Sequence, residues 1–400
     1  MPLHSLELRN LGPFIDVAFQ FDDQINLLVG PNNCGKSTAL WALGYICVTS
    51  FGLPKKLLRE KAGFKVAFAN DRTPDEIDGM LPFGGRVAFK KIELTISLGF
   101  TCFVPALRRS TDFRSKSASR ETNGKRESSH IQDPVQMEDA EMIQSIIDLD
   151  YRSYREKRPG IRAVIQRIAS IASEITEGFP LEFAGVGEDD RGLYPRFKTP
   201  DGEMPLNSLS QGTQSILQWL GHLLINMAKH YDYPDDFDDK KAVLIIDEID
   251  AHLHPSWQRR ILPALTKAFP RLQIFCSSHS PLMLAGLKAG QVHLLQRDAK
   301  NRVVVSRNET DIVGWSVDEI LRAFLDVPDP TDLETSEKIQ RLQALRHKKR
   351  HSARETVELE SLRKTLSTSL STGPATDKVL TLATELVGTP RKKPRNGPHR

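Results

Sequence analysis

Between an apolar run, Ile25 to Val29, and a stretch of helical character beginning at Lys36, the chain reads "GPNNCGKST". Gly30 is followed by four residues and then by Gly35, Lys36 and Ser37. Glycines let the backbone curl until successive N–H groups point inward at one anion, and the new helix adds the positive end of its dipole. Such a turn works where a buried strand delivers the chain and a helix takes it away. The expected fold class is therefore α/β, with a largely parallel sheet. A lysine at the mouth of that helix can reach terminal phosphates, and the serine after it can ligate Mg2+. Composition alone yields this spacing on the order of once per hundred chains of such length.

Strand-like runs precede the turn in "LHSLELRNL" and "VAFQF", and a helix is expected from about 36 to 50. "RVAFKKIELTISLGFTCFV" reads as further strand, rich in β-branched and aromatic residues. From about 107 to 135 Ser, Arg, Lys and Glu dominate, which predicts an exposed, weakly ordered loop. In "GIRAVIQRIASIASEI" the residues Ile161, Val164, Ile165, Ile168, Ala172 and Ile175 share one helical face. "YPRFKTPDGEMPL" reads as a hairpin turning at Asp201-Gly202. "SQGTQSILQWLGHLLINMAKH" returns to helix, with Ile216, Leu217, Leu220, Leu223, Leu224 and Met227 as its stripe. "AVLIID" and "LQIFCSS" are the short continuous apolar runs of strands buried on both faces.

Charge is nearly balanced, 55 basic against 51 acidic residues, but it is unevenly placed. Arg108 to Arg126 and the tail from Arg391 to Arg400 concentrate positive charge, whereas "DYPDDFDDKK" is acidic. Cys34, Cys47, Cys102 and Cys276 show neither paired metal-ligand spacing nor a disulfide framework. No apolar run is long enough to span a bilayer, and the start of the chain lacks a secretory pattern. A reduced, cytoplasmic protein with no membrane partner is expected.

Three further stretches bear on chemistry. "AVLIIDEID" ends an apolar strand in Asp247 and Glu248; after a phosphate loop, the first can hold Mg2+ and the second can polarise an attacking water. In isolation the same pair reads equally well as a solvated strand end. Ser210 can cap the helix that follows it, and Gly212 lets its amide approach an anion closely. An ordinary capped helix explains both residues too. His279 stands just beyond a buried strand, where it suits contact with a terminal phosphate.

Gly30–Thr38, Leu209–Gly212, Asp247–Glu248 and His279 occur in the order used by ABC-type ATPases, and the chain resembles the SMC, RecF and OLD group of that class. "GPNNCGKST", "LSQGTQS", "DEIDAHLHP", "SSHSPLML" and "IVGWSVDEIL" are similar to a bacterial branch, the ATPases of Septu-type and retron-linked anti-phage systems. The resemblance implies a P-loop NTPase fold of ABC-ATPase type: a mixed, largely parallel sheet flanked by helices, a helical insert and an appended C-terminal helical element. It divides the chain into an ATPase lobe over 1–106, an insert over 107–180, a second lobe over 181–327, a helical element over 328–370 and a basic tail over 371–400.

The resemblance also assigns roles. Gly30, Pro31, Asn32, Asn33, Cys34, Gly35, Lys36, Ser37 and Thr38 would bind the phosphates of ATP, with Ser37 and Asp247 at Mg2+. Glu248 would orient the water and His279 would contact the γ-phosphate. Ser210 and Gly212 would close over ATP held by a second copy, with Asp250 at that interface. Implied partners are the chain itself, as a homodimer or higher oligomer, and a separate nuclease subunit of HNH type. A RecF- or SMC-like role in DNA repair is the alternative, with DNA meeting the basic loop 108–126 and the tail. Gln211 and Thr213 replace the residues usual in transporter signatures, which argues against a membrane transporter. The glutamine loop of the class has only Gln132, Gln136 and Gln144 as candidates. His252 and His254 lack a third partner for a metal and are assigned to the interface loop. The interval from Lys36 to Ser210 is too short for coiled-coil arms and fits a compact insert.

Overall fold

The computed structural model describes residues 2–47, 57–69, 74–80, 98–109, 113–117, 129–130, 136–156, 159–327, 331–348 and 350–370. The chain forms two compact units, Met1–Asp326 and Val327–Arg400.

The first unit opens with β1 (Leu3–Leu11), β2 (Phe14–Gln20) and β3 (Ile25–Val29), followed by α1 (Lys36–Cys47). β2 alternates buried and exposed residues, as a strand with one wet face does, whereas all five residues of β3 are buried. Next come β4 (Leu58–Ala69), β5 (Pro74–Met80), β6 (Phe100–Val104), β7 (Leu107–Arg109), β8 (Ser129–His130) and β9 (Gln136–Glu138). Two helices follow, α2 (Ala140–Glu156) and α3 (Pro159–Ile175), then a meander of β10 (Glu182–Asp189), β11 (Gly192–Thr199) and β12 (Gly202–Pro205). The second half runs α4 (Gln211–His230), β13 (Ala242–Ile246), α5 (Pro255–Ala268), β14 (Leu272–Ser277), β15 (Val292–Arg297), β16 (Val303–Arg307) and α6 (Val317–Phe324).

One seven-stranded sheet, in the order β16-β15-β3-β14-β13-β6-β8, is parallel except at its β16 edge. Because successive side chains in a strand point to opposite faces, the sheet divides the interior in two. Leu27, Val29, Leu244, Ile246, Ile274 and Cys276 join the core built with α2 to α5. Leu28, Val243, Ile245 and Phe275, their sequence neighbours, join a second core with α1 and an antiparallel sheet in the order β2-β1-β4-β5. The fully buried "AVLII" and "LQIFCS" runs are central strands, as their composition predicts.

Several expectations shift. The 107–135 segment is not loop throughout: β7 pairs in parallel with β9, Ser115 bridges to Leu193, and Arg108 is buried. The hairpin turns at Pro200-Asp201, one residue earlier than expected, with Thr199 opposite Gly202. Residues 48–50 of the first expected helix and 86–97 of the expected strand region lie outside the described residues. In the second unit, α7 (Leu333–His347) and α8 (Ala353–Leu370) bury Ile339, Leu342 and Leu366 together, and Arg341 pairs with Glu358. The basic tail from 371 lies outside the described residues.

Candidate functional site

β3 delivers the chain to the glycine turn at the carboxyl edge of the sheet, and α1 begins at Lys36. Gly30 has φ 142° and Gly35 φ 101°, values that L side chains rarely adopt. A Cβ on Gly30 would collide with the Leu295 carbonyl, and one on Gly35 would lie 2.7 Å from the Phe14 ring. Asn33 supplies a third left-handed residue at φ 62°, and its carbonyl accepts from Arg297 Nη2 at 2.8 Å. Lys36 is only 7% exposed and folds back over the loop, donating from Nζ to Gly30 O at 2.9 Å and Pro31 O at 3.0 Å. Burial holds its pKa below the ordinary lysine value, opposed by Cys34, Asp247 and Glu248. Thr38 is buried behind it, and Ser37 is half-buried.

The neighbouring strands bring the other groups to the same edge. β14 lies between β3 and β13, all three parallel, so the residues that leave their carboxyl ends emerge side by side. Asp247, after β13, is 4% exposed, and its carboxylate accepts from Ser277 Oγ. Asp247 N donates to Val104 O at 2.9 Å. Glu248 is exposed and adopts φ 49°, a left-handed backbone that costs a non-glycine residue about 1 kcal/mol or more. Its N–H donates to Ser277 Oγ at 2.8 Å. His279, after β14, is exposed; burial and the Lys36 charge lower its pKa, while Asp250, Glu248 and Asp247 act in the opposite sense. The imidazole is therefore neutral at pH 7, able to donate from one nitrogen and accept at the other.

Ser210 and Gly212 do not belong to this cluster. Ser210 is exposed and caps α4, its Oγ accepting from Thr213 N at 3.2 Å and lying 2.9 Å from Thr213 Oγ1. Gln214 reaches back to the carbonyls of Asn207 and Leu209, at 3.2 and 2.6 Å. Gly212 has a packing reason distinct from anion contact: a Cβ there would stand 2.7 Å from His252 O and 3.1 Å from the Trp257 ring. The start of α4 thus rests against the segment that follows Glu248. In that segment Asp250 Oδ1 is buried with no hydrogen-bond partner among the described residues. His254 caps α5, its Nδ1 accepting from Ser256 N at 3.3 Å. Among the described residues no group of three or more His, Cys, Asp or Glu is placed to hold a metal.

Of the glutamine candidates, Gln144 lies on α2 and spends its amide on Asp148 and the Ser117 carbonyl, while Gln132 lies outside the described residues. Arg108 corrects an expectation. As the first residue of the basic loop it is expected on an exposed surface, solvated or open to DNA, but its guanidinium is buried behind Asp247 and Glu248 and donates to both carbonyls. Its neighbours in sequence gave no sign of this; the only signal was its position just past a strand end.

The chain was compared with known proteins. It is 33% identical over 116 residues to Septu protein PtuA of Bacillus mycoides (strain KBAB4), covering 29% of this chain and 16% of that protein. It is 23% identical over 353 residues to Septu protein PtuA of Bacillus thuringiensis, covering 80% of this chain and 83% of that one. It is 34% identical over 92 residues to "Retron Ec83 probable ATPase" of Escherichia coli, covering 23% of this chain and 17% of that protein. The chain thus spans less than a fifth of two of these relatives and most of the third. A family model described as "AAA domain, putative AbiEii toxin, Type IV TA system" matches residues 25–285, more than half of the chain, and takes in the glycine turn, the acidic pair and His279. On that match and on the strand order that carries those groups, the protein belongs to this family of AAA-domain ATPases and has the ABC-like α/β fold of its P-loop.

Proposed function

We propose that the protein binds ATP with Mg2+ at Gly30–Thr38 and hydrolyses it between two copies arranged head to tail. The observation that carries this reading is the meeting of Lys36, Asp247, Glu248 and His279 at the carboxyl edge of one sheet, where both acids act on Lys36 and on His279. The residues fit the ligand: Gly30 and Gly35 take backbone angles that L side chains rarely adopt, as a turn that curls its N–H groups around an anion requires. Lys36 exchanges loop carbonyls for phosphate oxygens. Ser37 and Asp247 would hold Mg2+, which would neutralise phosphate charge. Glu248 accepts a proton from the attacking water and aims it, and His279 donates to the terminal phosphate. Ser210, exposed at a helix start, and Asp250, in the segment after Glu248, serve the second copy.

The names borne by the relatives, Septu and retron, support a role in anti-phage defence, exerted through a separate effector; by resemblance this is an HNH-type nuclease. Direct DNA contact by Arg108 is dropped, since its donors are engaged inside the protein.

A multiple-turnover phosphate-release assay on the purified chain, paired with sedimentation in ATP, tests the enzymatic part. Turnover in the wild type, with ATP-held dimers in Glu248→Gln, is expected. A Glu248→Gln chain that hydrolyses at the wild-type rate removes Glu248 from the mechanism. For the biological part, phage plaque counts on cells carrying the gene with its genomic neighbour should rise when Lys36→Ala is introduced; equal counts argue against defence.

A further inference from the structure

Arg108 lies in a segment with the composition of a surface loop, yet it is only 9% exposed. Burying a guanidinium is costly unless its donors are met. Here all three nitrogens donate: Nε to Pro105 O at 3.2 Å, Nη1 to Ser215 Oγ at 3.2 Å, and Nη2 to Asp247 O at 2.6 Å and Glu248 O at 2.9 Å. None of these acceptors is a carboxylate oxygen, although the carboxylates of Asp247, Glu248 and Asp250 all bear on its charge. The side chain therefore grips the main chain and leaves the acids to other work.

Two features give that grip a purpose. Glu248 is held in a left-handed conformation, with Ser277 Oγ taking its N–H on one side and Arg108 taking its carbonyl on the other. Ser215, the remaining side-chain acceptor, is buried in the second turn of α4, behind the exposed cap Ser210. From this geometry we infer that Arg108 is a positioning residue: it fixes the main chain that aims Glu248 and ties that chain to α4, so that a shift of α4 is felt at Glu248. The inference rests on the role proposed above for Glu248. Lysine cannot substitute, because a single ammonium nitrogen does not span three elements as the planar fork does.

The test uses the full chain with Arg108→Lys and Ser215→Ala, read by ATP turnover, by calorimetric ATP affinity and by amide hydrogen exchange over residues 247–253. Arg108→Lys should lower kcat about 100-fold, the scale on which small misplacements of catalytic groups act. ATP affinity should stay within about threefold, because no ground-state contact is lost. Exchange over 247–253 should quicken by about tenfold or more, as local opening becomes easier. Ser215→Ala, which deletes one hydroxyl and leaves both carbonyl bonds, should lower kcat about fivefold, roughly the worth of one hydrogen bond. Wild-type kcat and wild-type exchange in Arg108→Lys overturn the inference. So does a loss spread evenly over affinity and over exchange throughout the sheet, which marks a merely structural role. If Arg108→Lys does not fold, Ser215→Ala decides, and unchanged kcat and exchange there cut the tie to α4. A wild-type chain without turnover, in which Arg108→Lys still loosens 247–253, defeats the ATPase proposal and leaves the hold of Arg108 on the main chain standing.

Discussion

The glycine turn before α1 and the capped start of α4 are both helix N-termini at which an anion could be met, and they are built in opposite ways. The first is enclosed: two glycines with forbidden side-chain space, a left-handed Asn33, and a buried lysine held by the loop's own carbonyls. The second is open: Ser210 and Gln211 are exposed, Ser210 accepts from Thr213 N, and Gly212 behind them faces His252 and Trp257. An enclosed site can bind alone, whereas an open one becomes a site only when something covers it. The two ends should therefore respond differently to mutation, the first in nucleotide affinity and the second in association.

The largest effects test the enclosed end. Lys36→Ala should weaken ATP binding on the order of 1000-fold, since charged hydrogen bonds to phosphate have no replacement; calorimetry with Mg2+ checks it. Glu248→Gln should cut turnover on the order of 100- to 1000-fold with ATP affinity retained, measured by phosphate release and titration on one sample. Equal losses of affinity in the two variants would erase the distinction between holding and reacting.

A pH effect comes next. Under the turn, His293 of β15 is 1% exposed, lies 3.1 Å by Nε2 from Asn26 Oδ1 on β3, and has its pKa lowered from 6.5 to about 4 by burial and by Arg307. The unfolded chain takes up this proton below its higher pKa and the folded chain does not. The contribution of His293 to stability is therefore flat above its unfolded pKa of 6.5 and falls as pH drops from there towards about 4, by on the order of 3 kcal/mol in all. Denaturant midpoints across that window measure the slope, and His293→Gln should flatten it.

The open end gives smaller effects. Gly212→Ala pushes a methyl group against the His252 carbonyl and should destabilise the fold by about 2 kcal/mol, seen as a lowered melting temperature. Ser210→Ala removes a cap worth about 1 kcal/mol and should leave monomer ATP affinity untouched while weakening ATP-dependent dimers in sedimentation. If Ser210→Ala instead lowers nucleotide affinity in the monomer, the two ends are not divided as proposed.

Much of this arrangement was legible from residue order because it is local. "INLLV", "AVLII" and "LQIFCS" announce buried strands by continuous apolar character, and the glycine turn announces itself by spacing. The stripe from Ile216 to Met227 gives α4 in the same way. What stayed hidden depends on distant partners. β5, "PDEIDGM", carries one strongly apolar residue that is buried, Ile77, and exists as a strand through its pairing with β4, including the Lys65–Glu76 ion pair. α2 lies inside the expected helical insert but shows no clean apolar stripe, because Asp148 and Asp150 interrupt its apolar face, though both are buried. Arg108 reads as surface until the ends of β13 and α4 are known to converge on it.

Lys36 Nζ donates to Gly30 O and Pro31 O of its own loop. Binding a phosphate there is an exchange of acceptors, and the gain is the difference between an oxyanion and two carbonyls. The loop acts as a weak competitor for its own cation. On the proposed ATPase reading, a loop already held in this way would spend little on ordering when a nucleotide enters.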